Sequence, residues 1–135
     1  MDLPIPRPNA DTRPYWEAAQ QDRLVLQHCA ACGAPQAIPR SYCGACHSAD
    51  LNWRESSGRG KIASFSVVHR APTKAFRDHL PYVLALVDMA EGVRLMLNVI
   101  GDDRLDTQIG DPVRIMFEPR GADGFKMPQA QRSRA

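Results

Sequence analysis

Apolar and polar residues change rhythm twice along this chain. Residues 1–10 hold prolines at positions 4, 6 and 8 and no periodic apolar set, so they read as extended. Asp11 and Thr12 offer side-chain oxygens to the free N–H groups of a helix start, and Pro14 suits a first helical turn. Tyr15, Trp16 and Ala19 then share one side of a short helix running to about Asp22. Arg23 to His28 reads as a strand, and Leu51, Trp53 and Arg54 as its return. Ser56-Ser57-Gly58-Arg59-Gly60 is a turn-rich junction. Beyond it the period becomes two. Lys61 to His69 alternates, Val93 to Ile100 puts Leu95, Leu97 and Val99 on one face, and Val113 to Glu118 aligns Val113, Ile115 and Phe117 as a last strand. Tyr82 to Met89 is a more continuous apolar run, which predicts a strand covered on both faces, with Ala90-Glu91-Gly92 as the hairpin loop after it. Short strands, tight turns and little helix predict a mainly β protein, a small barrel or sandwich. The expected divisions are an arm and helix over 1–24, a metal ribbon over 25–57, a β domain over 58–119 and a mobile tail over 120–135.

The four cysteines form two matched turns, Cys29-Ala30-Ala31-Cys32 and Cys43-Gly44-Ala45-Cys46, separated by ten residues. Each turn aims two sulfurs at one spot, and two facing turns supply a tetrahedron of soft ligands, the set that zinc prefers. Gly33 directly after the first turn suits a backbone with positive φ. The second turn is followed by His47 instead. Iron in a rubredoxin-like site is the main rival metal, and a thiol–disulfide redox pair fits less well, because such a motif usually stands alone near a βαβ pattern. His28 and His47 flank the cysteines, but with four thiolates available they read as neighbours. A catalytic role for the metal is disfavoured, since four thiolates leave no position for water. A structural ion supplies folding free energy of about 10–16 kcal/mol, which a ribbon this small cannot draw from its own core.

Charge narrows the function. The formal net charge is +2, but Arg120, Lys126, Arg132 and Arg134 against Asp123 put +3 on residues 120–135 and leave −1 on the rest. A body without net positive charge is a poor binder of phosphate backbones. The first eight residues carry no apolar signal region, and full use of the cysteines in paired turns fits a reducing cytoplasm. The run from Tyr82 to Val87 is too short to span a bilayer. No glycine-rich phosphate loop, nucleophile elbow or metalloprotease helix is present, and no thiol is left over for acyl transfer. The loop Arg70 to Pro81 carries Arg70, Lys74 and Arg77 with Phe76 available to stack. On charge alone it reads as solvated surface; its functional alternative is a contact to phosphate or nucleotide.

The ordered combination resembles a known family. It comprises Tyr15-Trp16 on a short helix, Cys29-x-x-Cys32-Gly33, Pro39-Arg40, Cys43-x-x-Cys46, Gly60, and Ile62-Ala-Ser-Phe-Ser-Val-Val68. Pro81-Tyr82-Val83, Glu91-Gly92-Val93-Arg94 and Ile109-Gly110-Asp111-Pro112-Val113 complete it. This resembles the OB-fold proteins with an N-terminal rubredoxin-like zinc ribbon, long catalogued as a domain of unknown function. The resemblance covers roughly residues 11–119. It implies a five-stranded OB barrel after the ribbon, structural zinc on Cys29, Cys32, Cys43 and Cys46, and an accessory rather than catalytic role. It implies a hetero-oligomer with a thiolase-like, lipid-transfer-type thiolase or aldolase, or with a hot-dog-fold hydratase, working on acyl-CoA. Arg70, Lys74, Phe76 and Arg77 are then the expected contacts to CoA, and Tyr15 and Trp16 the expected docking residues. The competing classes are a single-stranded nucleic-acid binder and a rubredoxin-like electron carrier.

Overall fold

The computed structural model describes residues 2–133. It begins with an extended arm that turns at Asn9. The Asn9 side-chain oxygen accepts the N–H groups of Asp11 (3.0 Å) and Thr12 (2.9 Å), while the Thr12 hydroxyl accepts the N–H of Asn9. Thr12 is therefore the N-cap residue, with its hydroxyl turned back on the preceding turn and not onto the helix. Helix α1 (Arg13–Gln20) follows, with Pro14 in its first turn. Its buried residues are the small Ala18 and Ala19, which let the helix lie close to the sheet behind it.

Strands β1 (Val25–Cys29), β2 (Pro35–Gln36) and β3 (Leu51–Glu55) make an antiparallel sheet in the order β2-β1-β3. The remaining strands, β4 (Arg59–Val68), β5 (Tyr82–Met89), β6 (Arg94–Ile100), β7 (Pro112–Arg120) and β8 (Phe125–Arg132), close into a five-stranded barrel in the order β4-β5-β6-β8-β7. The barrel shuts where β7 meets β4 through the Gly60–Val113 register. The expected mainly β architecture with a C-terminal five-stranded OB barrel is the one observed. Gly60 is required there: a Cβ would lie 2.7 Å from the Val87 side chain and 2.9 Å from the Asp88 carbonyl oxygen. Among the described residues no helix is long and apolar enough to cross a membrane.

Period-two patterning explains the barrel interior. Val83, Ala85 and Val87 of β5 meet Leu95, Leu97 and Val99 of β6, with Ile62, Val113 and Ile115 completing the lining. A fully buried side chain of this kind contributes about 2 kcal/mol. Leu24 and Leu26, at the start of the ribbon, belong to the same cluster. Ribbon and barrel are therefore separate sheets on one continuous core.

Two expectations are corrected. The strand Tyr82–Met89 is not covered on both faces: it alternates, and Leu84 points outward at 37 % exposure. The barrel wall is one layer thick, so the outward Leu84 borders a surface groove shared with Trp16, Met96 and Met127. Nor are residues 120–133 of the expected tail mobile coil, while positions 134 and 135 lie outside the described residues. Within the described residues, Phe125–Arg132 is β8, antiparallel to β7 and parallel to β6, and it completes the closure. Val113–Glu118 is thus not the last strand. The apolar rhythm of β8 is broken because its buried positions include Gln129, whose side-chain oxygen accepts the Asn98 N–H at 2.8 Å.

The β5–β6 hairpin is tied to the junction below the ribbon. Glu91 accepts the Ser56 hydroxyl at 2.6 Å and the Ser57 N–H at 2.8 Å, and Ser56 donates its own N–H to Leu24. Burial works to raise the Glu91 carboxyl, but the Ser56 hydroxyl and Ser57 N–H outweigh it and hold the group below its ordinary range. A depressed carboxyl contributes stability that is present above its unfolded pKa and lost as pH falls through the folded one. Glu91→Gln should therefore unfold at a lower temperature than the parent near neutral pH. The gap should close as pH falls below the ordinary glutamate range, as followed by calorimetry.

Candidate metal centre and barrel cavity

The ribbon builds its site from two equivalent turns. The N–H of Gly33 donates to the Cys29 carbonyl at 2.8 Å, and that of His47 to the Cys43 carbonyl at 2.9 Å. Both residues after the turns are left-handed, Gly33 at φ 77° and His47 at φ 65°. The four sulfurs converge within 4.8 Å of one another, with Cys29 to Cys46 at 3.5 Å and Cys32 to Cys43 at 3.6 Å. A tetrahedral ion at about 2.3 Å from each sulfur requires edges of about 3.8 Å, so the donor set fits a metal. Cys29 and Cys43 are buried, Cys32 and Cys46 exposed.

Backbone donors prepare the thiolates. The N–H groups of Cys46 and Ala45 point at the Cys43 sulfur and hold its thiol down at about 6. Ser48 lowers Cys46 in the same way, but the Cys29 and Cys32 sulfurs outweigh it and push Cys46 up to about 12. Four thiolates cannot share this volume as bare anions; a cation has to replace the protons.

One functional residue escaped the reading of the sequence. Gln27, 5 % exposed, lies on β1 behind the turns. Its amide donates to the Arg40 carbonyl (3.0 Å) and accepts the Arg40 N–H (2.9 Å), reproducing a strand pairing with a side chain. Its oxygen also accepts from Gln36 at 2.6 Å, and Gln36 in turn accepts the Gly44 N–H at 3.0 Å. Gln27 thereby fixes the connection that carries the second turn. A glutamine between Leu26 and His28 on a strand heading into the metal site was the available signal: a polar residue in a buried row needs a partner.

The candidate residues for ligand binding separate. Phe76 lies on a short 3₁₀ turn (Lys74–His79), packs on Tyr82 with ring centres 5.5 Å apart, and lines a cavity of about 290 Å³ at the barrel wall. Arg70, Lys74 and Arg77 are exposed and do not line it. Its cations are Arg104, held by the carbonyls of Pro81 and Gly101, and Arg120, beside Glu118. Tyr15 packs against the core, where burial pushes its phenol up to about 12. Trp16 stacks edge-on to Tyr15 at 4.9 Å and packs on Phe125 at 5.6 Å. Its remaining edge borders a groove with Leu84, Met96 and Met127. Asp88 is exposed and paired with Arg94 at 2.7 Å.

A four-thiolate ribbon on a closed five-stranded barrel defines the class of zinc-ribbon OB-fold proteins. The chain belongs to the ChsH2 (DUF35) family. Residues 16–52 match the family described as the ChsH2 rubredoxin-like zinc ribbon domain, and residues 53–118 the ChsH2 C-terminal OB-fold domain. It is 33% identical over 116 residues to a DUF35 domain-containing scaffold protein of Methanothermobacter thermautotrophicus, covering 83% of this chain and 86% of the relative. It is 42% identical over 110 residues to a probable enoyl-CoA hydratase alpha subunit of Thermomonospora curvata; that match covers 82% of this chain but spans only about a third (34%) of that relative's length. Among solved structures it is similar to a chain of the Ltp2-ChsH2(DUF35) aldolase, with TM-score 0.83 and 36% identity over 95% of this chain and 98% of that one.

Two outcomes check the metal centre. Gln27→Leu should keep the four sulfurs but release metal to a chromogenic chelator about tenfold faster than the parent, the loss of a buried hydrogen-bond pair. His47→Gly should raise the thermal midpoint of the metal-loaded chain, gaining up to about 1 kcal/mol, because an exposed left-handed histidine carries steric strain that glycine lacks.

Proposed function

We propose that this chain is a non-catalytic accessory subunit of an acyl-CoA-processing complex. It holds the CoA portion of the thioester for a thiolase-like, lipid-transfer-type thiolase or aldolase, and a structural zinc ion on Cys29, Cys32, Cys43 and Cys46 keeps the ribbon folded. The observation that carries this reading is the likeness, at TM-score 0.83 across nearly all of both chains, to a component of an Ltp2-ChsH2 aldolase. The cavity supports it: a tilted Phe76–Tyr82 pair and Arg104 and Arg120, which share the lining with the carboxylates Asp78 and Glu118, offer contacts to a ligand with one flat apolar part and one anionic part. The groove where Trp16 meets Leu84 and Met96 is the proposed docking surface, since Met96 stands 67 % exposed there. Arg70, Lys74 and Arg77, on the rim of the same loop, then serve long-range attraction of the phosphates.

A second reading is favoured by the 42% identity to a probable hydratase alpha subunit: the same accessory role beside a hot-dog-fold hydratase. Reconstitution separates the two. The purified chain is mixed with a lipid-transfer-type thiolase or aldolase, or with a hot-dog-fold hydratase, from the same genome, and turnover of acyl-CoA is followed. Cleavage or condensation should need the first pair together, and Phe76→Ala should raise KM about tenfold with kcat retained, as loss of uniform binding requires. Turnover by the chain alone would sink the accessory role, and activity only with the hydratase partner would transfer it. Met96→Lys should abolish co-purification with the partner while leaving the melting curve unchanged.

A further inference from the structure

Arg120 stands apart from every other arginine near the barrel cavity. Its side chain is only 10 % exposed, yet its one ion pair is a contact from Nε to the Glu118 carboxylate at 3.3 Å. Arg104 gives three hydrogen bonds to backbone carbonyls, and Arg132 is held by Asp111 at 3.0 Å and Asp103 at 3.2 Å. A guanidinium has five N–H donors and cannot shed its charge. Among the described residues, the four on the Arg120 terminal nitrogens meet no protein acceptor. With one long bond to protein, the other N–H groups of this secluded charge are left to solvent in the crevice, where a ligand can take them.

Its position says what that is. Arg120 lines three neighbouring cavities of about 290, 250 and 230 Å³. One is the Phe76–Tyr82 cavity, the second lies under Leu3 of the N-terminal arm, and the third is the groove beside Trp16. The residue therefore sits at the node of a branched crevice. Glu118 is two positions earlier on the same strand, so both side chains share one face of β7.

We propose that Arg120 is the anion-binding residue of this crevice, and that Glu118, which takes only its Nε–H, is an internal competitor for an incoming oxyanion of phosphate or carboxylate type. The proposal rests on the reading of the cavity as the seat of an acyl-CoA, and it moves the principal anion contact from the exposed loop cations to the partly buried Arg120. A planar fork facing a crevice matches such an oxyanion bidentately, which exposed lysines do not. A carboxylate already in contact lowers the affinity for any incoming anion, so Glu118 sets the threshold for binding.

The test is an NMR titration of the metal-loaded chain, labelled with nitrogen-15, using inorganic pyrophosphate, acetate and acetyl-CoA as separate probes. The Arg120 Nε–H signal should move with pyrophosphate or acetate, and the larger response identifies the oxyanion type. Glu118→Gln should tighten that binding about tenfold, the effect of removing one competing charge. Arg120→Gln should abolish it, while the triple variant Arg70→Ala, Lys74→Ala, Arg77→Ala should retain it. An unmoved Arg120 signal, or unchanged affinity in Glu118→Gln, overturns the proposal even where Arg120→Gln fails to fold. Acetyl-CoA binding that survives Arg120→Gln overturns it while sparing the accessory-subunit reading. Pyrophosphate binding that depends on Arg120, with acetyl-CoA inert, upholds the anion site and removes that reading.

Discussion

Four sulfurs held within 4.8 Å of one another are a constraint before they are a site. Thiolates this close repel, and thiols this close fill the space with protons that a soft cation displaces. The ribbon has little else to hold it. Its sheet is three short strands, one of them two residues long, and its connecting segment carries Ile38 and Tyr42 exposed to solvent. The metal centre therefore orders residues 29–46, and Leu24 and Leu26 transmit that order to the barrel core.

A second device recurs at the places where strands run out. Three glutamines use their side-chain amides as surrogate backbone. Gln27 pairs in both directions with Arg40, and Gln20 does the same with Lys126, accepting its N–H at 2.9 Å and donating to its carbonyl at 3.1 Å. Gln129 accepts the Asn98 N–H and donates to the Asn98 side chain. A primary amide offers one donor and one acceptor on the same edge, as a peptide does, so it satisfies backbone groups that an irregular connection would otherwise leave unpaired. These contacts fasten the second cysteine turn, the helix and the last strand.

The likeness to ChsH2 proteins and the cavity beside Phe76 support the proposed role, that of a molecule that binds and positions. The closed thiolate set leaves the metal no open coordination position for chemistry. The barrel offers the opposite: an aromatic wall, a partly buried arginine and an apolar groove on one side.

Local chemistry was legible wherever a residue's role depends on its neighbours in sequence. The C-x2-C spacing, the left-handed Gly33, the hairpin at Gly92 and the alternation that lines the barrel with Leu95, Leu97 and Val99 all follow from short-range geometry, and the four converging sulfurs could be named without coordinates. Long-range pairing was not legible. Nothing in Phe125-Lys126-Met127-Pro128-Gln129-Ala130 announces a strand, because its burial is set by β6 and β7 on either side and its polar residue is satisfied by Asn98, thirty-one positions away. The outward face of Leu84 and the seclusion of Arg120 were equally hidden, since exposure belongs to a closed surface and not to a segment. Only the folded barrel decided which cations face solvent on the Arg70–Arg77 loop and which one lies at the node of a crevice.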